Sequence, residues 1–372
     1  MTLHELLRAT LDLGGSDLHL SVGAPPAVRV DGDLHRLDLP ALTAEDTQRL
    51  ADSALDDGER WMFDDGDEVD RALAVDGIGR CRCNVFRQRG VVSAVFRLIP
   101  QSIQSLEELG LPPAIGWLAD RPRGLVLVTG PTGSGKSTTM AAMVDRVNGS
   151  RPAHILTIED PIEYVHPHRT GLVTQRELRS DTRSFPKALR AALRADPDVV
   201  LIGELRDLET MEAALTMAET GHLTLATLHT NSAAQTITRL VDAFPASQQA
   251  QVRTQLSLVL EGIVCQTLLK SAAGGRVAAL EILVATPAIR HLIRDDKVHQ
   301  IYGAVQTGQD RGGMQTMNQA LAHLVERRLV RRDAALSVSA NRDELALLLD
   351  RSARERRYSP PAERGAQSRG VR

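Results

Sequence analysis

Four short apolar runs, LVLVT, HILTI, DVVLI and LTLATL, lie between Gly124 and Leu228 and do not alternate with polar residues. A strand with one solvated face alternates, whereas a strand covered on both faces does not. The runs therefore predict strands inside a sheet flanked by helices, an α/β core assigned to residues 123–350. In open sheets of this kind ligands lie beyond the carboxyl ends of the strands. The residues that close each run are thus the first candidates for chemistry.

The first run continues as GPTGSGKSTTM, which places Gly130, Pro131, Thr132, Gly133, Ser134 and Gly135 between a strand and a helix that opens on Lys136, Ser137 and Thr138. This is the G-x-x-x-x-G-K-[ST] pattern in the strand–loop–helix setting it requires. Glycines let successive backbone N–H groups converge on phosphate oxygens, and the helix N-terminus adds positive potential. Lys136 is expected to contact the β- and γ-phosphates and Ser137 to hold Mg²⁺, which makes ATP the expected ligand. Only four of the 44 Lys and Arg residues are Lys, so a Lys at this position is informative.

The second run ends in Glu159-Asp160, followed by Pro161 and Glu163. Water attacking a γ-phosphate must lose a proton, and a carboxylate here can accept it or orient the water. Spacing leaves the choice among the three acids open, and helix capping or pairing with arginines is the competing reading of Glu159 and Asp160. The third run closes on Gly203-Glu204, where a carboxylate can organise Mg²⁺ and its waters. The fourth lies between His222 and His229, which either sense the γ-phosphate or serve only structure.

Residues 1–100 read as a small α+β domain. An opening helix carries Leu3, Leu6, Leu7 and Leu11, a second helix has Thr43 as its N-cap, and the segments DLHLSVG and AVRVDG read as strands. RCRCNVFRQ and VVSAVFRLI form a hairpin across the two-residue turn Arg89-Gly90. If Gln88 pairs with Val91, Arg82 stands opposite Arg97 on one face, an unfavourable like-charge pair that is either solvated or awaits an anion. Pro112, Pro113 and Pro122 mark residues 101–122 as a linker. The tail 351–372, with seven Arg against two Glu, reads as disordered.

Composition narrows the alternatives. Net charge is -3 and aromatics are 3%, which argues against a strand-binding nucleic-acid partner. No apolar run reaches the length of a bilayer span and the first residues lack a leader pattern, so a cytoplasmic location with no transmembrane segment is expected. Cys81, Cys83 and Cys265 form neither a disulfide framework nor a four-cysteine zinc site, and packing is expected of them.

Taken together, GPTGSGKST, TIEDPIEYVH, DPDVVLIGELRD and TGHLTLATLHTNSA resemble, in this order and spacing, the secretion ATPase superfamily, and most of all the PilT-type retraction ATPases of type IV pili. The resemblance runs from SDLHLSVGAPPAVRVDG to about Val330. It implies a RecA-like P-loop motor domain preceded by a PAS-like N-terminal domain, arranged as a homo-hexameric ring in which the N-terminal domain packs on a neighbour. It makes Glu163 the general base, Glu204 the organiser of Mg²⁺, and His222 and His229 the histidines of the family's His box, with His222 at the nucleotide. It gives Arg82 and Arg97 a role at the transferring phosphoryl across a subunit boundary. AIRHLIR resembles a retraction-associated segment, so Arg290 and Arg294 become candidates for coupling. An inner-membrane platform protein at the pilus base is the implied partner. Glu261-Gly262 stand where a more basic surface is expected. Rival readings are an accessory PilU-type retraction ATPase and an assembly or secretion ATPase, although the zinc element usual in the latter is missing. A RecA-like nucleic-acid translocase is the alternative from another class.

Overall fold

The computed structural model describes residues 1–30, 32–99, 102–308 and 312–358. Among the described residues thirteen strands are numbered in chain order: β1 Asp17–Leu20, β2 Ala27–Val30, β3 Asp33–Arg36, β4 Val69–Val75, β5 Gly79–Gln88, β6 Val91–Leu98, β7 Gly124–Thr129, β8 His154–Glu159, β9 Leu172–Glu177, β10 Val199–Ile202, β11 Leu223–Leu228, β12 Leu260–Lys270 and β13 Arg276–Val284. They fall in two compact units. One comprises Met1–Val128, Lys136–Leu228 and Leu258–Glu261; the other comprises Thr129–Gly135, His229–Ser257 and the chain from Gly262 onward.

In the first unit β1 to β6 form a sheet in the order β3-β2-β1-β6-β5-β4. Helix Leu3–Asp12 starts on a capping box in which Thr2 and Glu5 satisfy each other's backbone N–H groups. It buries Leu3, Leu6, Leu7 and Thr10, while Leu11 faces outward at 40% exposure. Thr43 caps helix Ala44–Asp52 as expected. A continuous apolar cluster joins Leu6, Leu18, Leu50, Phe63, Cys81, Cys83 and Phe96. Burying a residue such as Phe96 contributes about 2 kcal/mol, so this sheet has a core of its own.

The β5–β6 hairpin has the expected register, Gln88 opposite Val91 and Arg82 opposite Arg97. Arg89 and Gly90 have φ of 49° and 81°, the left-handed pair that a two-residue turn needs to match the twist of its strands. Residues 101–122, expected as a linker, contain the helix Pro113–Ala119 with Ile115, Leu118 and Ala119 fully buried. Arg146 holds the end of that helix through two bonds to Asp120, at 2.9 and 2.6 Å.

The same unit contains the strand series β7-β11-β10-β8-β9. β10 pairs in parallel with both β8 and β11, and β8 pairs in parallel with β9. All residues of β7, β10 and β11 are buried, the property that removes alternation from the apolar runs. β9 is an edge strand whose burial alternates and whose sequence, LVTQRE, is largely polar, so it is absent from those runs.

In the second unit β12 and β13 form a long antiparallel hairpin, and a separate cluster joins Leu269, Leu321, Ala335 and Leu345. Glu261 stands where a more basic surface is expected, yet it is not a surface charge. Its side chain is 15% exposed and pairs with Arg121 at 3.1 Å inside the first unit. Helix Arg342–Tyr358 carries helical backbone eight residues into the expected disordered tail, and residues 359–372 lie outside those described.

Candidate active site

The four predicted carboxylates, Glu159, Asp160, Glu163 and Glu204, lie at one end of the parallel strands. β8 ends on Glu159, β10 ends one residue before Gly203-Glu204, and the turn Asp160–His166 leaves β8 at the same end. Lys136, at the start of helix Lys136–Ser150, is half-buried. Burial lowers its pKa, and the charges of Glu204 and Glu163 partly offset that effect. Both carboxylates are therefore close enough to act on the ammonium. Thr138 Oγ1 is hydrogen-bonded to the Tyr164 hydroxyl at 2.9 Å, which links the helix to the residue after Glu163.

The structure separates the three acids that the sequence left open. Glu159 is part-buried, accepting bonds from Thr157 Oγ1 at 2.6 Å and Gln175 Nε2 at 3.2 Å. Burial pushes its carboxyl up to about 7 despite those donors. Asp160 lies between Arg179 at 3.8 Å and Arg206 at 4.0 Å. Glu163 is exposed. Of the three acids it is the exposed one, whereas Glu159 is bonded to Thr157 and Gln175. Glu204 Oε2 accepts from Arg206 Nε at 2.9 Å, and Gly203 accepts the hydroxyl of Thr227 through its carbonyl, which anchors the turn to β11.

Sequence reasoning missed the framework. Gln175 donates to Glu159 and to the Tyr164 carbonyl, and accepts from the His166 N–H at 2.8 Å, so one edge-strand amide holds three points of the turn. Its signal was a polar residue in a strand too polar to be recognised.

Arg82 and Arg97 are not open to an anion without competition. Arg82 makes two bonds to Asp70, at 2.8 and 2.5 Å, and Arg97 Nε donates to Asp17 at 2.8 Å. Asp70, and beyond it Asp160 and Glu163, hold the Arg82 guanidinium above its ordinary value against the opposing effect of burial. Arg82 therefore lies within electrostatic reach of the Glu163 turn of its own chain. Arg97 is anchored at the far side, on β1.

The phosphate loop connects β7 to helix Lys136–Ser150. Gly130, Gly133 and Gly135 have φ of 142°, 78° and 86°. A Cβ on Gly130 would sit 2.2 Å from Gln266 O and 2.7 Å from Ser134 Oγ, so only glycine fits there. Ser134 is 3% exposed and its hydroxyl has no hydrogen-bond partner. A buried hydroxyl left unpartnered in a loop of left-handed glycines suits a phosphate chain. A hydroxyl at Ser137 and a single carboxylate at Glu204 form a donor set suited to Mg²⁺, which keeps waters and phosphate oxygens as its remaining ligands.

The two histidines part company. His229 directly follows β11 and is exposed at the carboxyl end, bordering a groove of about 620 Å³ with Asn231, Arg239 and His299. His222 precedes β11. Six residues of strand at about 3.3 Å each put it roughly 20 Å from the carboxyl end. Its Nδ1 lies 3.0 Å from the Met217 carbonyl and 3.1 Å from Thr220 Oγ1. The expectation that His222 binds nucleotide in its own chain is therefore corrected; it closes the end of helix Leu208–Glu219. Arg290 likewise has a structural task, donating to the Ala285 and Ser257 carbonyls at 2.9 and 3.0 Å. Arg294 and His291 remain exposed on the outer side of a helix that buries Ile289 and Ile293.

A parallel α/β sheet with this loop, this lysine and these carboxylates at its carboxyl end defines a P-loop ATP hydrolase. The chain belongs to the Type II/IV secretion system protein family, which it matches over residues 29–331. It is 52% identical over 335 residues to the Pseudomonas aeruginosa type IV pilus retraction ATPase PilT, covering 90% of this chain and 97% of that one. It is 41% identical over 350 residues to the type IV pilus ATPase PilU of the same organism, covering 94% and 91%. The crystal structure of the pilus retraction motor PilT with bound ADP superposes with a TM-score of 0.87 at 50% identity, covering 93% of this chain and 99% of that one.

Proposed function

We propose that this chain is an ATP-hydrolysing motor that drives type IV pilus retraction and twitching motility, working as a hexameric ring against an inner-membrane platform protein at the pilus base. The observation that carries the hydrolytic part is the loop of positive-φ glycines with its buried, unpartnered Ser134 hydroxyl leading into Lys136, with Glu163 and Glu204 following the carboxyl ends of β8 and β10. Identity of 52% to a retraction ATPase, against 41% to PilU, supports retraction.

In this reading the backbone N–H groups of Gly130–Gly135 and the Lys136 ammonium hold the ATP phosphates. Ser137 and Glu204 hold Mg²⁺, Glu204 through water. When bound, Mg²⁺ neutralises charge on the β- and γ-phosphates. Glu163 accepts the proton of the attacking water. Arg82, and Arg97 across a subunit boundary, stabilise charge on the transferring phosphoryl, an effect worth on the order of 10³ to 10⁵ in rate where it operates. No helix among the described residues is long and apolar enough to cross a membrane.

Deletion of the gene tests the direction of force. Abundant surface pili without motility is the expected result; loss of surface pili would reassign the motor to assembly.

A further inference from the structure

Glu177 ends β9, directly opposite Glu159 in the parallel ladder, and its side chain is 10% exposed. One oxygen, Oε2, accepts from two directions. Arg80 Nη2 on β5 donates to it at 2.7 Å, and the backbone N–H of Ile162 donates to it at 3.2 Å. Ile162 is the residue before Glu163. Asp181 secures the other side of Glu177 by accepting its backbone N–H at 2.7 Å.

Arg80 and Arg82 are two residues apart on β5, so they project from the same face of the strand. Arg80 thus pins the strand that presents Arg82, and it does so on the carboxylate that also pins the turn presenting Glu163. Arg82 feels the charges of Asp160 and Glu163, which shows that the two ends of this connection converge. The ion pair is mostly shielded from water, where a charge-assisted bond is stronger than at an open surface.

We infer that Arg80 and Glu177 are a pair of positioning residues that lock the arginine-bearing strand β5 to the Glu163 turn, so that the arginine and the water-activating carboxylate are aligned together or not at all. The inference rests on the assignment of Glu163 as general base. Neither residue touches the phosphates in this scheme. Their loss therefore lowers turnover without weakening nucleotide binding, because misplacing an acid or an arginine by about 1 Å can cost up to 10²-fold in rate.

The test uses the full chain, with steady-state ATP hydrolysis, titration of a fluorescent ADP analogue and thermal melting measured for each variant. R80A and E177A are expected to lower kcat on the order of tenfold with analogue affinity unchanged. R80A/E177A is expected to be no slower than E177A alone, since both changes break one connection. R80K, which keeps the charge, should recover most of the rate. Should an alanine variant fail to fold, E177Q keeps an acceptor for Ile162 but loses the charge, and must still lower kcat. Losses that multiply in the double variant, an R80A rate equal to wild type, or affinity falling in step with kcat would overturn the pairing. E163Q is measured alongside: if it hydrolyses ATP at the wild-type rate, the assignment of the base fails, and the inference with it, whatever the other variants do.

Discussion

Arg82 and Arg97 stand directly opposite each other in the β5–β6 ladder, yet each guanidinium is bound to a carboxylate on a different neighbouring strand, Arg82 to Asp70 on β4 and Arg97 to Asp17 on β1. Two like charges at this spacing are unfavourable by themselves. The flanking acids offset the repulsion and aim the arginines outward, so a phosphate that recruits either one must compete with a carboxylate. For Arg97, anchored on β1 away from the Glu163 turn, this ties catalytic use to assembly, because an incoming site must supply the competing anion.

Arg97→Ala is expected to have two effects. Asp17 is 6% exposed. Burial raises its carboxyl, while Ser16 and Arg97 more than offset this and leave it below its ordinary value. Removing Arg97 strands that carboxylate, at a cost of about 1–3 kcal/mol by thermal or denaturant unfolding. The double variant D17N/R97A should recover part of that loss. Turnover should fall in the assembled ring and not in dilute monomer; an equal loss in both would place Arg97 outside any cross-subunit role.

Glu163→Gln should abolish ATP turnover while nucleotide affinity is retained, since the carboxylate acts on water. Equilibrium binding beside single-turnover hydrolysis checks this. Undiminished hydrolysis would return the role to Glu159 or Asp160.

Glu159 supplies a pH dependence. Its carboxyl is raised from 4.5 to about 7 by burial. The folded chain therefore binds more protons than the unfolded chain between those values, and the sign follows: stability from this group is greatest below about 4.5 and declines as pH rises through about 7. The thermal midpoint of wild type should drop between pH 5 and pH 8 by more than that of E159Q. A slope identical in the two proteins would remove Glu159 as its source.

Gly130→Ala and Gly133→Ala separate space from strain. Both positions have positive φ, but a Cβ at Gly130 meets Gln266 O at 2.2 Å whereas one at Gly133 meets nothing within 4 Å. G133A should cost about 1–2 kcal/mol of backbone strain and keep measurable nucleotide binding. G130A must move the loop off β12 and should lose binding altogether in a nucleotide titration.

His229→Ala should lower kcat, and His222→Ala should leave nucleotide affinity unchanged while loosening the end of helix Leu208–Glu219. Comparable losses of affinity in both variants would overturn the separation that β11 imposes.

Much of the architecture is legible in the residues. Burial on both faces stripped alternation from LVLVT, DVVLI and LTLATL, and turn chemistry at Arg89-Gly90 set the hairpin register that puts Arg82 opposite Arg97. Both are local consequences of side-chain type. β9 escaped notice because an edge strand needs no apolar run, and the pairing of Glu261 with Arg121 was not legible because the two lie far apart in the chain.

By itself the sequence determined the α/β core, the phosphate loop, the helix caps and the set of acids that follow each strand, because these depend on neighbours a few residues away. The tertiary structure decided which acid is exposed, which histidine lies at the carboxyl end, and which partners Arg80, Asp17 and Gln175 take. Glu159 and Glu163 are four residues apart, yet one is part-buried and bonded to Gln175 and the other exposed. That difference is made by a group brought in from β9, and only the folded chain brings it there.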